Sequence, residues 1–147
     1  MKANQKYNRM KTERLIGIDW DIENALNHCN FAKAESRASE FGKRIPTKEE
    51  WDRLLQLPHY WSYRRKGMVF GKHRWQLWKR GLYLPASGFI HASSCSLFMV
   101  GILGSFWSST EGDADCMRCV DFTRNRAGIE NCHVINGVSL RLVRDIQ

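Results

Sequence analysis

Two cysteines three residues apart, Cys116 and Cys119, have the spacing that most directly suggests chemistry. A Cys-x-x-Cys pair can bind zinc or carry out thiol–disulfide exchange. Zinc would need a second pair of spaced ligands, and the nearest candidates, Cys132 and His133, are adjacent. A redox pair would open a helix, whereas this pair lies in a strand-like segment, where residues three apart face opposite sides. The pattern favours structural or incidental cysteines, and we expect reduced thiols.

Glu111, Asp113 and Asp115 form the cluster of carboxylates that comes nearest to a calcium site. Ca²⁺ takes six to eight oxygen ligands, so three carboxylates are too few by themselves. The five histidines are scattered, with no pair at the spacing of a metal site, and no Ser-His-Asp or paired-carboxylate arrangement stands out. We therefore expect no metal, no cofactor and no enzymatic activity.

Basic and aromatic residues are interleaved between positions 63 and 80. Such a pattern is typical of a surface that follows phosphates and stacks nucleic-acid bases. It is equally typical of a hairpin with a polar face and a core face, which is the interpretation we favour. The chain has a formal charge of +8, and a basic domain attracts anionic partners, although a solvated basic surface is the simpler interpretation. The residues are Tyr63, Arg64, Arg65, Lys66, Phe70, Lys72, His73, Arg74, Trp75, Trp78, Lys79 and Arg80.

The length and composition of the chain suit a single domain. Its 147 residues are 43% hydrophobic and include six Trp, enough for one core, and no internal repeat is present. We expect a basic N-terminal extension, residues 1–14, followed by one domain, residues 15–147. The extension lacks the apolar core of a secretory signal, and the longest apolar run, Leu97 to Leu103, is too short to span a bilayer. These features predict a cytoplasmic or virion-associated protein with no membrane partner.

The N-terminal half of the domain is predicted to contain a strand and two helices. The strand covers Leu15 to Trp20, and apolar residues at helical spacing predict a first helix from Ile22 to Phe41. Thr47 and Glu50 have the spacing of a capping box, which opens a second helix that carries Trp51 on its apolar face.

Short strands are predicted from residue 60 onward. Helices first and strands later indicate an α+β domain. The dipeptide Asn136-Gly137 is a strong hairpin-turn signal, and residues 93–104 are expected to form a loop or a weak strand. The predicted strands are Gly67 to Gly71, Trp75 to Trp78, Leu82 to Leu84, Cys116 to Phe122, Ala127 to Ile135 and Val138 to Val143.

Three passages, in this order and spacing, resemble the Fibrobacter succinogenes major paralogous domain. They are residues 44–51 (Arg-Ile-Pro-Thr-Lys-Glu-Glu-Trp), residues 82–88 (Leu-Tyr-Leu-Pro-Ala-Ser-Gly), and residues 106–110 (Phe-Trp-Ser-Ser-Thr) through 136–144. That family is similar to the wider group with the C-type lectin fold of formylglycine-generating enzymes. The group includes the variable receptor-binding proteins of diversity-generating retroelements. The resemblance covers residues 43–144.

The resemblance implies a C-type-lectin-like fold, in which two helices flank a small, irregular, mainly antiparallel sheet. It implies scaffold roles for Trp107, Ser108 and Arg141, and a display surface formed by the residues between the scaffold segments. The implied ligand-binding residues are Glu111, Asp113, Asp115, Met117, Arg118, Thr123, Arg124, Asn125, Arg126 and Asn131.

Strand parity modifies this expected surface. In a strand through Phe122, Arg118 and Val120 share its face, so Arg118 is predicted to point inward unless a bulge intervenes. Residues 111–115 are predicted to be a surface loop. Residues 123–131 are polar, and a binding site and an ordinary polar loop both remain open.

The sequence as a whole predicts a non-enzymatic ligand-binding or assembly module. The expected partners are a protein or glycan ligand and copies of the same chain or virion subunits, because the family is common in Bacteroidetes and their phages. Receptor binding with retroelement diversification is one form that this function would take. The alternatives are a basic nucleic-acid-binding or cytoplasmic adaptor protein, and a remnant of a formylglycine-generating-type oxidase with Cys116 and Cys119 as its pair.

Overall fold

A computed structural model describes residues 11–146. These residues form two helices and thirteen short strands in four sheets, the α+β class that the sequence predicted. Helix α1 spans Phe31–Glu40 and helix α2 spans Lys48–Leu55. The strands are β1 Thr12–Leu15, β2 Ile18–Asp21, β3 Leu26–Cys29, β4 His59–Ser62, β5 Gly67–Phe70, β6 Leu82–Pro85, β7 Phe89–His91, β8 Ser96–Phe98, β9 Gly104–Glu111, β10 Cys116–Phe122, β11 Ala127–His133, β12 Val138–Leu140 and β13 Val143–Asp145.

A five-stranded sheet in the order β11-β10-β9-β12-β3 forms the centre of the molecule. The pairs are antiparallel except for β12 and β9, which run parallel where Ser139 lies opposite Phe106. Successive residues of β9 and β10 alternate between the two faces, and both faces are covered. Strands β9 and β10, which connect the loops that carry most of the predicted ligand residues, are therefore anchored on both sides.

An aromatic cluster fills one face of the central sheet. Trp51 of α2 contacts Trp20 edge-on, with ring centroids 4.9 Å apart, and lies 5.8 Å from the ring of Phe106. Phe106 stacks on Phe122 of β10, which in turn meets Phe70 of β5. Through this cluster the sheet β4-β5-β6 is packed against the centre.

The opposite face is covered by α1. Ala34 and Ala38 are buried there against Trp107 of β9 and Leu140 of β12. Small residues at four-residue spacing let the helix approach the sheet closely.

The capping box at the start of α2 is confirmed. The Thr47 hydroxyl accepts a hydrogen bond from the Glu50 backbone N–H, and the Glu50 carboxylate accepts one from the Thr47 N–H at 2.8 Å. Glu50 also binds the guanidinium of Arg44, which in turn binds Asp145 near the end of the chain. The cap thereby ties α2 to β13.

The prediction of a first helix from Ile22 to Phe41 is wrong at its start. Strand β3 occupies Leu26–Cys29 because these residues pair with β12. The helix begins only after Asn30, whose side chain accepts a hydrogen bond from the Lys33 N–H. Helical propensity in this stretch is outweighed by sheet pairing with a strand more than a hundred residues later.

The single strand predicted over Leu15 to Trp20 is instead two strands. Ile16 and Gly17 have positive φ, 52° and 82°, and form the tight turn between β1 and β2. The predicted domain boundary at residue 15 falls inside this hairpin, because β1 starts at Thr12. Residues 1–10 of the predicted extension lie outside the described residues.

Three other strand predictions need correction. Residues 75–78 form a loop with no strand pairing. The Asn136-Gly137 turn does not make a hairpin, because β12 pairs with β9 and β3 and not with β11. The strand predicted from Val138 to Val143 is interrupted at Arg141, so that β13 pairs with β2 in a different sheet.

Neither helix in the described part of the chain is long and apolar enough to cross a bilayer.

Candidate ligand-binding surface

Nine of the ten residues implied as a display surface fall at two ends of the β10–β11 hairpin. Glu111, Asp113, Asp115, Arg118 and Asn131 lie towards the end where β9 leads into β10. Residues 123–126 form the turn at the other end. Seven residues of β10 separate the two ends, which corresponds to about 20 Å. The carboxylates of residues 111–115 and the turn are therefore too far apart for one small ligand, whereas Asn131 lines a cavity of about 360 Å³ together with Thr123 and Arg126.

Met117 belongs to neither end. Its side chain is buried on the α1 face, against the cluster that contains Trp107 and Cys119. The expectation that Met117 is exposed is wrong, because strand alternation turns it towards the helix.

The end that carries the acidic residues is held together by Asn131. Its side-chain amide donates to the Asp113 carboxylate at 2.7 Å, and its carbonyl oxygen accepts from the Asp113 N–H and from Arg118 at 3.3 Å. The predicted surface loop is confirmed, since Glu111, Asp113 and Asp115 are exposed. Within residues 11–146 no group of three or more His, Cys, Asp or Glu side chains is placed to hold a metal ion.

Arg118 follows the parity prediction in part. Its side chain is half-buried, and its Nε is enclosed without a hydrogen-bond partner among the described residues. A register shift between β9 and β10 lies at this position, with the extra residues on β9. The irregularity places Arg118 under the 112–115 loop, so the side chain supports that loop and is not freely displayed.

The turn at the other end of the hairpin borders an open groove of about 540 Å³. Thr123, Arg124 and Asn125, three of the ten predicted residues, line it. The aromatic residues Trp61 and Tyr63 also line it, and Lys66, Gly101 and Ile102 complete the lining. We call this cavity the Trp61 groove.

A smaller cavity of about 250 Å³ continues from the Trp61 groove and shares Trp61, Arg124 and Asn125 with it. Arg126 and His59 lie in its lining. No carboxylate of the described residues lies within ion-pair distance of Arg124, Arg126 or Lys66. The two cavities together place aromatic side chains beside Lys66, Arg124 and Arg126, of which Arg126 also interacts with the charge of Asp121.

The three residues implied as scaffold are fully buried and hydrogen-bonded. Trp107 donates its indole N–H to the Cys29 carbonyl at 2.8 Å, and the Ser108 hydroxyl donates to the Arg118 carbonyl. Arg141 donates to the carbonyls of Asp21 and Tyr83 and to the side chain of Asn24. Burial lowers the pKa of Arg141, while the charge of Asp21 opposes that shift. These contacts are those that a scaffold role requires.

Cys116 and Cys119 face opposite sides of β10, as the parity of the strand predicts. Cys119 is buried against α1, and its thiol contacts Cys132 of β11. The contact with Cys132 and burial raise the pKa of Cys119, so its thiol stays protonated. Cys116, opposite His133, is only half-buried. The Cys-x-x-Cys spacing therefore does not bring its two thiols together.

Positive charge and exposed apolar side chains concentrate in a segment that extends well beyond the basic and aromatic stretch of residues 63–80. From Arg53 to Thr110 the chain contains eight basic residues (Lys or Arg) and no Asp or Glu. The remaining 89 residues therefore contain fifteen basic and fifteen acidic residues. We call residues 53–110 the acid-free segment. Nine of the eleven large exposed hydrophobic side chains among the described residues also lie in it. A count of acids along the sequence would have revealed the segment.

The Trp61 groove itself could not be found from the sequence. Tyr63 and Lys66 stood out as part of a basic and aromatic stretch, but nothing placed them beside Thr123 and Asn125. Ile102 comes from a loop whose position depends on the pairing of Gly101 N–H with the Ala86 carbonyl. Tertiary packing alone brings the three segments together.

Comparisons of the chain with protein-family models, with curated proteins and with solved structures found no match. The function is therefore inferred from the geometry of the groove and from the distribution of charge.

Proposed function

We propose that the chain is a non-enzymatic ligand-binding module with a C-type-lectin-like fold, related to the Fibrobacter succinogenes major paralogous domain, and that it binds its ligand in the Trp61 groove. The observation that carries the proposal is the meeting of Thr123, Arg124 and Asn125 with Trp61 and Tyr63 around one cavity. Support for the fold comes from two helices on a mainly antiparallel sheet and from the burial of Trp107 and Arg141.

The lining of the groove favours an acidic glycan as the ligand. Flat aromatic side chains such as Trp61 and Tyr63 offer an apolar face to a sugar ring, while the Asn125 amide and the Thr123 hydroxyl supply hydrogen-bonding groups. Lys66 and Arg124 are free to pair with sulfate or carboxylate groups. A neutral sugar would leave both cations without a partner, so we expect charged oligosaccharides to be preferred.

The test is a calorimetric titration with a heparin tetrasaccharide, with neutral cellotetraose for comparison. We expect binding of the first and not of the second, and a loss of about tenfold in affinity for Arg124→Ala, since a charge-assisted hydrogen bond contributes about 1.5–3 kcal/mol. Arg144→Ala is the matched control, because Arg144 is also exposed but lies in β13. Equal affinity for the two sugars, or equal effects of the two variants, would exclude the groove as an acidic-glycan site.

A role in assembly is a second candidate, supported by one apolar surface. Leu97, Phe98, Met99, Val100 and Ile102 are all exposed, although they lie close together in sequence. A contiguous apolar patch on a monomer is typical of a protein contact. Light scattering on the protein after size-exclusion chromatography should then give a dimer or larger species, which Phe98→Ser converts to a monomer. A wild-type monomer over the whole concentration range would remove this candidate.

A further inference from the structure

The loop between β5 and β6 is the most exposed apolar element of the described chain. Leu77 retains 86% of its surface, Trp78 retains 72% and Trp75 retains 67%. The sequence predicts a strand over Trp75 to Trp78 within a hairpin that has one face in the core. None of these three side chains reaches the core, so the interpretation as an ordinary hairpin does not hold for this segment.

This loop is ordered by its own hydrogen bonds. Gln76 accepts from the His73 N–H at 2.8 Å and donates its own N–H back to the His73 carbonyl. The buried Lys72 ammonium donates to the Lys79 carbonyl at 2.8 Å and so closes the base of the loop. Gly71 and Gly81, both with positive φ, make the two corners. The exposed side chains are therefore presented by a fixed frame.

The loop is also docked onto the sheet beneath it. Arg74 donates to the Trp61 carbonyl and lies over the ring of Tyr60, 4.7 Å from its centroid. The imidazole of His73 is stacked on Trp75, whose ring meets Trp78 edge-on at 5.7 Å. The aromatic rings consequently form one rigid projection.

We propose that this projection, Trp75, Leu77 and Trp78 with the flanking Lys79 and Arg80, binds the surface of an anionic lipid bilayer. Trp is favoured at the boundary of headgroups and acyl chains, Leu is favoured below it, and nearby cations are attracted to anionic lipids. Lys79 and Arg80 are exposed, and no acid within residues 53–110 opposes that attraction.

Leu77 distinguishes a bilayer from a single-stranded nucleic acid. Both partners would attract the cations, and both would accommodate the two indole rings, since bases stack on aromatic side chains. An aliphatic side chain that is 86% exposed gains nothing from base stacking, but it becomes buried in the acyl boundary of a bilayer. The bilayer therefore accounts for all three apolar side chains.

This inference does not depend on the glycan proposal, and it departs from the expectation of no membrane partner. That expectation rested on the absence of a spanning segment, whereas binding at the surface needs only a small apolar projection and positive charge.

The experiment measures sedimentation of the full chain with lipid vesicles that contain about 30% phosphatidylglycerol, and with vesicles of pure phosphatidylcholine. We expect binding to the anionic vesicles, a blue shift of Trp emission, and protection from acrylamide. Trp20, Trp51 and Trp107 are already fully buried, so these signals would come from Trp61, Trp75 and Trp78, and measurement in a Trp61→Phe background assigns them to the loop. A dT oligonucleotide of about 30 nucleotides serves as the competing partner.

Two pairs of variants test the residues. We expect Leu77→Ser with Trp78→Ser to weaken vesicle binding about tenfold or more, while Ile135→Ser, at an exposed site outside the segment, leaves it unchanged. Lys79→Gln with Arg80→Gln should weaken it by about fivefold for each charge, and Lys33→Gln with Arg144→Gln should not. Absence of vesicle binding, or binding that the loop variants leave intact, would overturn the proposal. Quenching by the oligonucleotide without vesicle binding would assign the loop to nucleic acid instead.

Discussion

The acid-free segment and the rest of the described chain, which we call the frame, use their positive charges in different ways. In the frame, four cations pair with carboxylates, and the closest contacts are those of Lys43, 2.8 Å from Asp21, and of Arg44, which binds both Glu50 and Asp145. Arg124, at the Trp61 groove, is a frame cation outside these pairs. In the acid-free segment, cations meet rings and backbone carbonyls. Arg65 lies over the Tyr83 ring at 3.6 Å, and the buried Lys72 binds only a carbonyl among the described residues.

This difference separates charges that hold the fold from charges that remain for a partner. An ion pair within the fold neutralises both of its members, and the frame as a whole is not basic, since residues 11–52 and 111–146 hold 12 Lys and Arg against 15 Asp and Glu. A cation over a ring keeps its charge, because the ring contributes only a quadrupole. The whole formal charge of +8 is equal to the charge of residues 53–110. Anionic partners are consequently expected on the side of the acid-free segment.

The two buried lysines give the strongest test of this comparison. We expect Lys43→Met to lower the free energy of unfolding by about 3–5 kcal/mol, because it leaves the Asp21 carboxylate buried without its partner. Lys72→Met leaves only a neutral carbonyl unpaired and should cost about 1–2 kcal/mol. Urea denaturation at pH 7 measures both values. Equal losses would show that the two regions do not differ in this way.

The loss in Lys43→Met should also depend on pH. Burial already raises the pKa of Asp21, while Lys43 opposes that shift, so removal of Lys43 raises the pKa further. As the pH falls towards the raised value, Asp21 becomes protonated in the folded variant and its buried charge disappears. The destabilisation should therefore be smaller at pH 4.5 than at pH 7. A loss that is constant between these pH values would contradict the assignment.

A smaller effect is expected when the half-buried Arg44 of the frame is compared with the exposed Arg65 of the acid-free segment. Burial alone would raise the pKa of Glu50, but hydrogen bonds from Arg44 and Thr47 outweigh it and hold the pKa below its usual value. Its stabilising contribution is therefore present at pH 7 and is lost as the pH falls through the lowered pKa. Arg44→Gln should cost about 1–2 kcal/mol at pH 7 through the contact with Glu50, and less at pH 3.

Arg65→Gln is the matched change in the acid-free segment. Its ring contact with Tyr83 is worth about 0.5–1 kcal/mol at an exposed site. Because no carboxyl takes part, the cost should be the same at pH 3 and pH 7. Thermal unfolding of the two variants at both pH values checks the contrast, and a pH-dependent loss in Arg65→Gln would break it.

The smallest expected effect concerns thiol reactivity. Cys95 is exposed in the acid-free segment, whereas Cys29 is buried in the frame, where burial raises its pKa to about 11. Since the thiolate is the reactive form, Cys95 should react first with a disulfide reagent at pH 8 and Cys29 last. Cys95→Ser should remove the fast phase. A fast phase that persists in that variant would place another thiol at the surface.

The sequence predicted those features that depend on neighbouring residues. The capping box of α2 and the strand Cys116–Phe122 were found from local pattern, because each is specified within a few positions. The start of α1 was not, because β3 exists only through its pairing with β12. Likewise Trp75 to Trp78 has the composition of a strand, but its own hydrogen bonds hold it in a loop.

The candidate site was predicted only in part, for the same reason. Thr123, Arg124 and Asn125 were named from the sequence, and the structure places them at one cavity. The rest of the lining comes from strand β4, the turn that follows it and a distant loop. No local sequence pattern connects Trp61 with Asn125. The carboxylates at residues 111–115 were named too, but they lie at the other end of the hairpin.

The most direct test of the central claim compares heparin affinity after equal changes of charge in the two regions. One variant carries Lys66→Gln, at the groove, with Lys79→Gln and Arg80→Gln in the acid-free segment, and the other carries Lys11→Gln, Lys33→Gln and Arg144→Gln in the frame. All six side chains are exposed. We expect the first variant to bind heparin about tenfold more weakly or worse, and the second to bind like the unmodified protein. Equal weakening in both would show that only the net charge matters, and would contradict the division of the molecule into a frame and a partner-facing segment.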